Sequence, residues 1–226
     1  MTMNMFEQFM SPELLMIPTA LLSMLVPVLL IHHKPKLLGN RMTTATTWLL
    51  KMVMSNMTNQ LTPHGQKWCK ILTSLLMVIL LSNLLGLLPY TFTTTSQLSM
   101  NMAMAAPLWM ATITTGMMKK PSTTLAHMLP EGSPTPLIPF MIIIETISLL
   151  MRPLALGVRL TANITAGHLL MTMVSTAALN FINTHITLSI MTLLLLFLLS
   201  ILELAVACIQ AYVFVLLVVL YLQENT

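Results

Sequence analysis

The 226-residue chain contains no aspartate. Its acids are the scattered residues Glu7, Glu13, Glu131, Glu145, Glu203 and Glu224. Hard cations are held by several clustered carboxylates, so no metal or other cofactor is expected. Charged residues make up only 7% of the chain, against about 25% in a soluble domain. Such a chain cannot build a water-facing surface. That excludes an ordinary cytosolic enzyme, a disordered protein and a nucleic-acid partner. The two cysteines, Cys69 and Cys208, cannot make a disulfide framework, and each is expected to pack as a small hydrophobe. No basic residue precedes Lys34. A secretory signal would need a positive start and a transit peptide would need arginines, so insertion from the chain's own apolar segments is expected.

What is present is hydrophobic: 56% of residues. Five apolar stretches stand out, over residues 14–31, 71–89, 98–118, 137–180 and 186–222. The first three are near the ~20 residues that span a hydrocarbon core, and the last two are about twice that length. The expected fold class is an all-α polytopic membrane protein of about five membrane helices, with the lipid bilayer as a partner. No internal repeat is visible, nor an inverted pair of interrupted helices.

Loop charges orient the chain. Lys34, Lys36, Arg41, Lys51, Lys67 and Lys70 fall within residues 32–70 with no acid among them, and Lys119 and Lys120 open the loop at 119–136. The positive-inside rule places these loops in the interior compartment, with the N-terminus outside and the C-terminus inside. Within the first loop, Ala45, Trp48, Leu49, Met52 and Val53 recur at helical spacing, which predicts a short interfacial helix over about 43–57. The second loop is crowded by Pro121, Pro130, Pro134, Pro136 and Pro139 and is expected to be extended before the long fourth segment.

The two longest stretches are unusual. Forty residues of helix measure ~60 Å, while the hydrocarbon core is ~30 Å thick. Either a helix breaks, with Pro153 and Gly157 as candidates, or it lies far beyond the usual ~20° tilt. Residues 186–222 contain neither Pro nor Gly. Joined by the short turn at 180–185, the two are expected to form a long, strongly inclined antiparallel hairpin.

That hairpin carries Glu145, Arg152, Arg159, Asn163 and His168 on its first arm and Glu203 and Gln210 on its second. Ionisable groups inside apolar helices are costly and mark ion or proton pathways. Glu145, Arg152 and Arg159 are seven apart, so they drift only ~20° per step and share a face. Asn163 joins that face, and His168 points roughly opposite. Glu203 and Gln210 also share a face. The polar groups therefore form two sets rather than one continuous stripe, as two offset half-paths would. An arginine does not release its proton, so Arg159 cannot relay one, but it can pair with a carboxylate. Glu and His can relay. Glu145 stands ~21 Å from Arg159 along the helix, so the counter-charge for Arg159 is expected from a partner subunit. Arg152, nearer the interior end, suits anchoring. A secondary transporter, a haem carrier and a passive assembly scaffold are the alternative readings at this point. They would need, respectively, a substrate site between interrupted helices, paired axial histidines, and charges that only fix contacts.

The run Ser148-Leu-Leu-Met-Arg152-Pro-Leu-Ala-Leu-Gly-Val-Arg159-Leu-Thr-Ala-Asn163-Ile-Thr-Ala-Gly-His168 resembles the signature of subunit a of F-type ATP synthases. Glu145, Glu203 and Gln210 fit the same pattern. The 23 methionines, the few charges and the missing presequence resemble the version made inside animal mitochondria. The resemblance implies a non-catalytic, proton-translocating stator subunit in the mitochondrial inner membrane. Its N-terminus would lie in the intermembrane space and its C-terminus in the matrix. Its partners would be a proteolipid c-ring, the peripheral stalk and other membrane subunits. His168 and Glu203 would line the intermembrane-space half-channel and Glu145 the matrix half-channel. Arg159 would pair with the ring carboxylate and block leakage, oriented by Asn163 and Gln210.

Overall fold

The computed structural model describes residues 9–10, 12–14, 17–31, 41–60, 65–88, 91–119, 121–122, 137–182 and 185–225. The Pro-rich loop expected over 119–136 lies almost wholly outside the described residues.

The described chain is nearly all helix. The exception is one two-residue antiparallel pairing, β1 (Glu13–Leu14) with β2 (Ile17–Pro18), in which Glu13 faces Pro18. Helix α1 (Thr19–Ile31) starts directly after Pro18, and the Thr19 N–H donates to the Pro12 carbonyl at 3.2 Å. Helix α2 (Arg41–Gln60) covers the segment of helical periodicity in the first loop. Trp48 and Met52, one turn apart on it, are exposed. A short 3-10 turn, Gly65–Trp68, leads into α3 (Cys69–Gly86). A second one, Thr94–Ser96, precedes α4 (Leu98–Lys119).

Helices α5 (Ile138–Ile182, 45 residues) and α6 (Ile186–Asn225, 40 residues) are about twice the ~20 residues that a membrane crossing requires. Gly65–Gly86 and these two are the described helices long and apolar enough to cross. Helix α5 continues through Pro153 and Gly157 without a break. One proline removes a single backbone N–H, which a long membrane helix tolerates.

Several threonine and serine hydroxyls inside the apolar helices have a local acceptor. Ser82 donates to the Ile79 carbonyl at 2.9 Å, Thr112 to Trp109 at 2.7 Å and Thr172 to Leu169 at 2.9 Å. No water is needed to satisfy them.

The chain divides into two compact units. The first takes its described residues from Met1–His32, Met77–Met100 and Arg159–Tyr212. Its buried residues include Ile79, Asn83, Leu160, Ala178, Ala207 and Ala211. Small alanines let α3, α5 and α6 approach closely. Here α5 and α6 run antiparallel, since Asn163 meets Gln210 while Gly167, further along α5, meets the earlier Glu203.

The second unit takes its described residues from His33–Leu76, Asn101–Val158 and Val213–Thr226. Its core is Cys69, Leu72, Leu76, Ala105 and Leu156 with Phe214, Val215, Val218, Val219 and Leu222. The last five recur at three- and four-residue spacing, the stripe of one helix face. Gly157 faces α4: a Cβ there would stand 2.6 Å from the Met102 sulfur.

Candidate functional site

The first unit holds a small, partly open cleft with about 20 Å³ of space for water. Its polar lining is Asn83 from α3, Asn163 and His168 from α5, and Glu203 and Gln210 from α6. A water molecule needs about 10–15 Å³ of such space, so the cleft has room for about one.

Each side chain has a local reason for its position. Glu203 is half-buried, and its carboxylate lies against the backbone of Gly167, where a Cβ would overlap it. The residue after that glycine is His168, so the glutamate reaches the stretch of α5 that carries the imidazole. Gln210, two turns from Glu203, is buried, and its Oε1 accepts a 3.0 Å hydrogen bond from the Asn163 amide. Asn163 and His168 are five residues apart and differ by ~140° around α5 at ~100° per residue. They reach the cleft from two sides, which the face-by-face reading of the sequence did not bring out.

Asn83 is the member that sequence reasoning missed. It is 1% exposed, and its amide nitrogen donates to the Ala207 carbonyl at 3.4 Å. Its Oδ1 makes no hydrogen bond among the described residues. A buried unpaired oxygen costs ~1–3 kcal/mol, and this one belongs to a residue that lines the cleft. The only sequence signal was an amide within an otherwise apolar span.

Arg159 stands apart from this cleft. It is exposed on α5 together with Ala162, Asn163, Ala166, Leu170 and Met173, which recur at three- and four-residue spacing. Among the described residues, both ion pairs belong to Arg152, and Arg159 makes none. The amides of Asn163 and Gln210 bond to each other rather than to Arg159.

Glu145 lies in the second unit, with Arg152. The Arg152 Nη2 is 3.8 Å from Glu145 Oε1, and its Nη1 donates to Glu224 Oε2 at 2.8 Å. The guanidinium carbon also sits 5.0 Å from the centre of the Tyr221 ring. Glu145 and Arg152 share a face, as their seven-residue spacing predicts. Glu224 and Tyr221 were not legible as their partners. Among the described residues, no three His, Cys, Asp or Glu side chains come together as a metal site.

Residues 14–223 match the family model of the ATP synthase A chain. Over all 226 residues, the chain is 89% identical to subunit a of the ATP synthase F(0) complex of Lycodon semicarinatus, with both chains covered completely. The identity is 58% to the protein of the same description from Struthio camelus and 55% to that from Xenopus laevis, again over the whole of both chains.

Proposed function

Since this chain belongs to the ATP synthase A chain family, we propose that its polar clusters are two offset half-paths for protons. The chain is a non-catalytic, proton-translocating subunit of the F(0) complex. It is a multi-pass membrane protein of mitochondria and assembles with other ATP synthase subunits.

In this reading the cleft of the first unit is the outer half-path. A proton from the intermembrane space reaches His168 and Glu203 and passes to a carboxylate on a rotating proteolipid ring. Once neutral, that carboxylate can face lipid. After nearly a full turn it gives its proton to the inner half-path at Glu145, which opens to the matrix. Arg159 pairs with the ring carboxylate in its ionised form. Its guanidinium keeps its own proton at any physiological pH, so it separates the paths instead of joining them. Asn163 and Gln210, locked to each other one turn beyond Arg159, hold the neighbouring surface of α5. The N-terminus lies in the intermembrane space and the C-terminus in the matrix, with α5 and α6 strongly inclined to the membrane normal.

The single observation that carries this reading is the exposed stripe around Arg159. A cation within an apolar membrane helix needs a counter-charge. The alanines that follow it on the same stripe, Ala162 and Ala166, leave room for a partner helix to approach closely. A ring helix bearing one carboxylate meets both requirements. The energy available is adequate, because one charge moved through 100 mV gains ~2.3 kcal/mol.

The test is ATP-driven proton pumping into liposomes by the intact reconstituted complex, wild type against Arg159→Ala. Loss of pumping with the complex still assembled is the expected result. Unchanged pumping would mean that the arginine is structural and the mechanism wrong.

A further inference from the structure

The second unit carries a patch of cations with no acid against them. Arg41 and Lys51 on α2, Lys67 in the turn before α3 and Lys70 on α3 are all exposed. Among the described residues, both ion pairs belong to Arg152 on α5, and none of these four takes part in one. Residues 32–70 contain no Asp or Glu. Tertiary contact gathers the lysines. The Cys69 thiol lies 3.9 Å from the Met54 carbonyl, which ties α2 to the start of α3. Lys51 is one turn before Met54, and Lys67 and Lys70 flank Cys69.

Apolar side chains share this patch. On α2, Arg41, Trp48, Met52 and Ser55 are exposed and fall within about 60° of one another at ~100° per residue. Leu50, Val53 and Met54 turn the other way and are half-buried. On α3 and the turn before it, Lys67, Lys70, Ile71 and Ser74 recur at three- and four-residue spacing and are exposed, while Cys69, Leu72, Thr73 and Leu76 are buried. The two lysines stand at the end of the apolar crossing Gly65–Gly86, and the exposed Ile71 continues from them into it. A free anion or an acidic protein segment would use the cations alone. An amphiphile with a negative headgroup uses the cations and the apolar groups together.

We propose that this patch is a binding site for an anionic phospholipid of the leaflet that borders the start of α3. Lys51, Lys67 and Lys70 hold the headgroup phosphate. Trp48 and Met52 lie at the headgroup boundary beside Arg41, and one acyl chain runs down α3 along Ile71 and Ser74. The lipid supplies the negative charge that residues 32–70 lack, and it pins α2 against the membrane surface.

The test is photolabelling of the intact complex in phosphatidylcholine bilayers. The probe is a phosphatidylglycerol with a diazirine high on one acyl chain, and the control is the same probe on phosphatidylcholine. Labelled peptides are mapped by mass spectrometry. Helix α1, whose exposed Leu21 and Leu25 have no cation beside them, reports the level of unselective labelling. The anionic probe is expected to label the peptides around Trp48–Met52 and Ile71–Ser74 above that level. Lys67→Gln and Lys70→Gln are each expected to cut this labelling by about fivefold, the factor that one lysine contributes at an anionic surface.

Equal labelling by the two probes would show an ordinary lipid contact and overturn the proposal. So would labelling unchanged in the double variant. No labelling of these peptides would mean that another subunit covers the patch. Displacement of the probe by inorganic phosphate would mean that the lysines bind the free anion and not a lipid. If the variants do not assemble, the wild-type complex gives the reading in a potassium chloride series. The excess of anionic over neutral labelling is expected to fall as salt screens the lysines, and an excess that salt leaves unchanged overturns the electrostatic site.

Discussion

The Asn163 amide nitrogen donates to the Gln210 side-chain oxygen at 3.0 Å, joining α5 to α6 beside the cleft that holds His168 and Glu203. Gln210 is buried, so removing Asn163 leaves its amide without this partner. Side-chain hydrogen bonds between membrane helices couple by about 0.6 kcal/mol on average and up to ~1.7. A double-mutant cycle with Asn163→Leu and Gln210→Leu, read by thermal stability of the purified complex, should give a coupling in that range. Strict additivity would mean that the bond does not hold the hairpin.

Gly167→Ala places a methyl group where the Glu203 carboxylate lies. The carboxylate is the far end of a flexible side chain, so it swings away rather than forcing the helices apart. Overpacking of this kind costs ~1–3 kcal/mol. The complex should assemble while proton flux falls. Adding Glu203→Asp, one methylene shorter, should recover part of the flux. If the alanine variant alone translocates protons at the wild-type rate, the close fit has no functional consequence.

Glu203→Gln keeps the shape of the side chain and removes its exchangeable proton. Synthesis driven by an imposed proton gradient should slow by about a hundredfold, the low end for a lost acid–base group. Native gels should show an intact complex. Wild-type synthesis in this variant would remove Glu203 from the path.

Arg159→Lys should not restore coupling. A lysine offers a point charge on a flexible stem, and it can lose its proton when buried. The expected phenotype is loss of ATP-driven pumping, with passive proton leak through the membrane sector as the further readout. Full coupling with lysine would show that guanidinium geometry is unimportant.

Much of this was legible because it depends on one helix at a time. The all-helical class follows from apolar runs with 7% charged residues. The uninterrupted α6 follows from a stretch without Pro or Gly, and the shared face of Glu145 and Arg152 from two turns of the same helix. The continuity of α5 at Pro153 was not legible, because a proline in a long apolar segment is compatible with a kink or with an unbroken helix. Asn83 was passed over for a similar reason. A lone amide in a span looks the same whether it faces a neighbour or a cleft.

The amino-acid sequence by itself determined which helices form, that they belong in a membrane, and which few side chains carry charge inside it. Periodicity, length and composition act locally, so they can be read from one segment. Tertiary structure alone decided which of those side chains meet. Asn163 finds Gln210 47 residues away, and Arg152 finds Glu224 72 residues away. Gly167 makes room for Glu203. Such pairings depend on the axial register and rotation of one helix against another. Those are set by small residues and close packing at the contact, not by the order of residues along either helix.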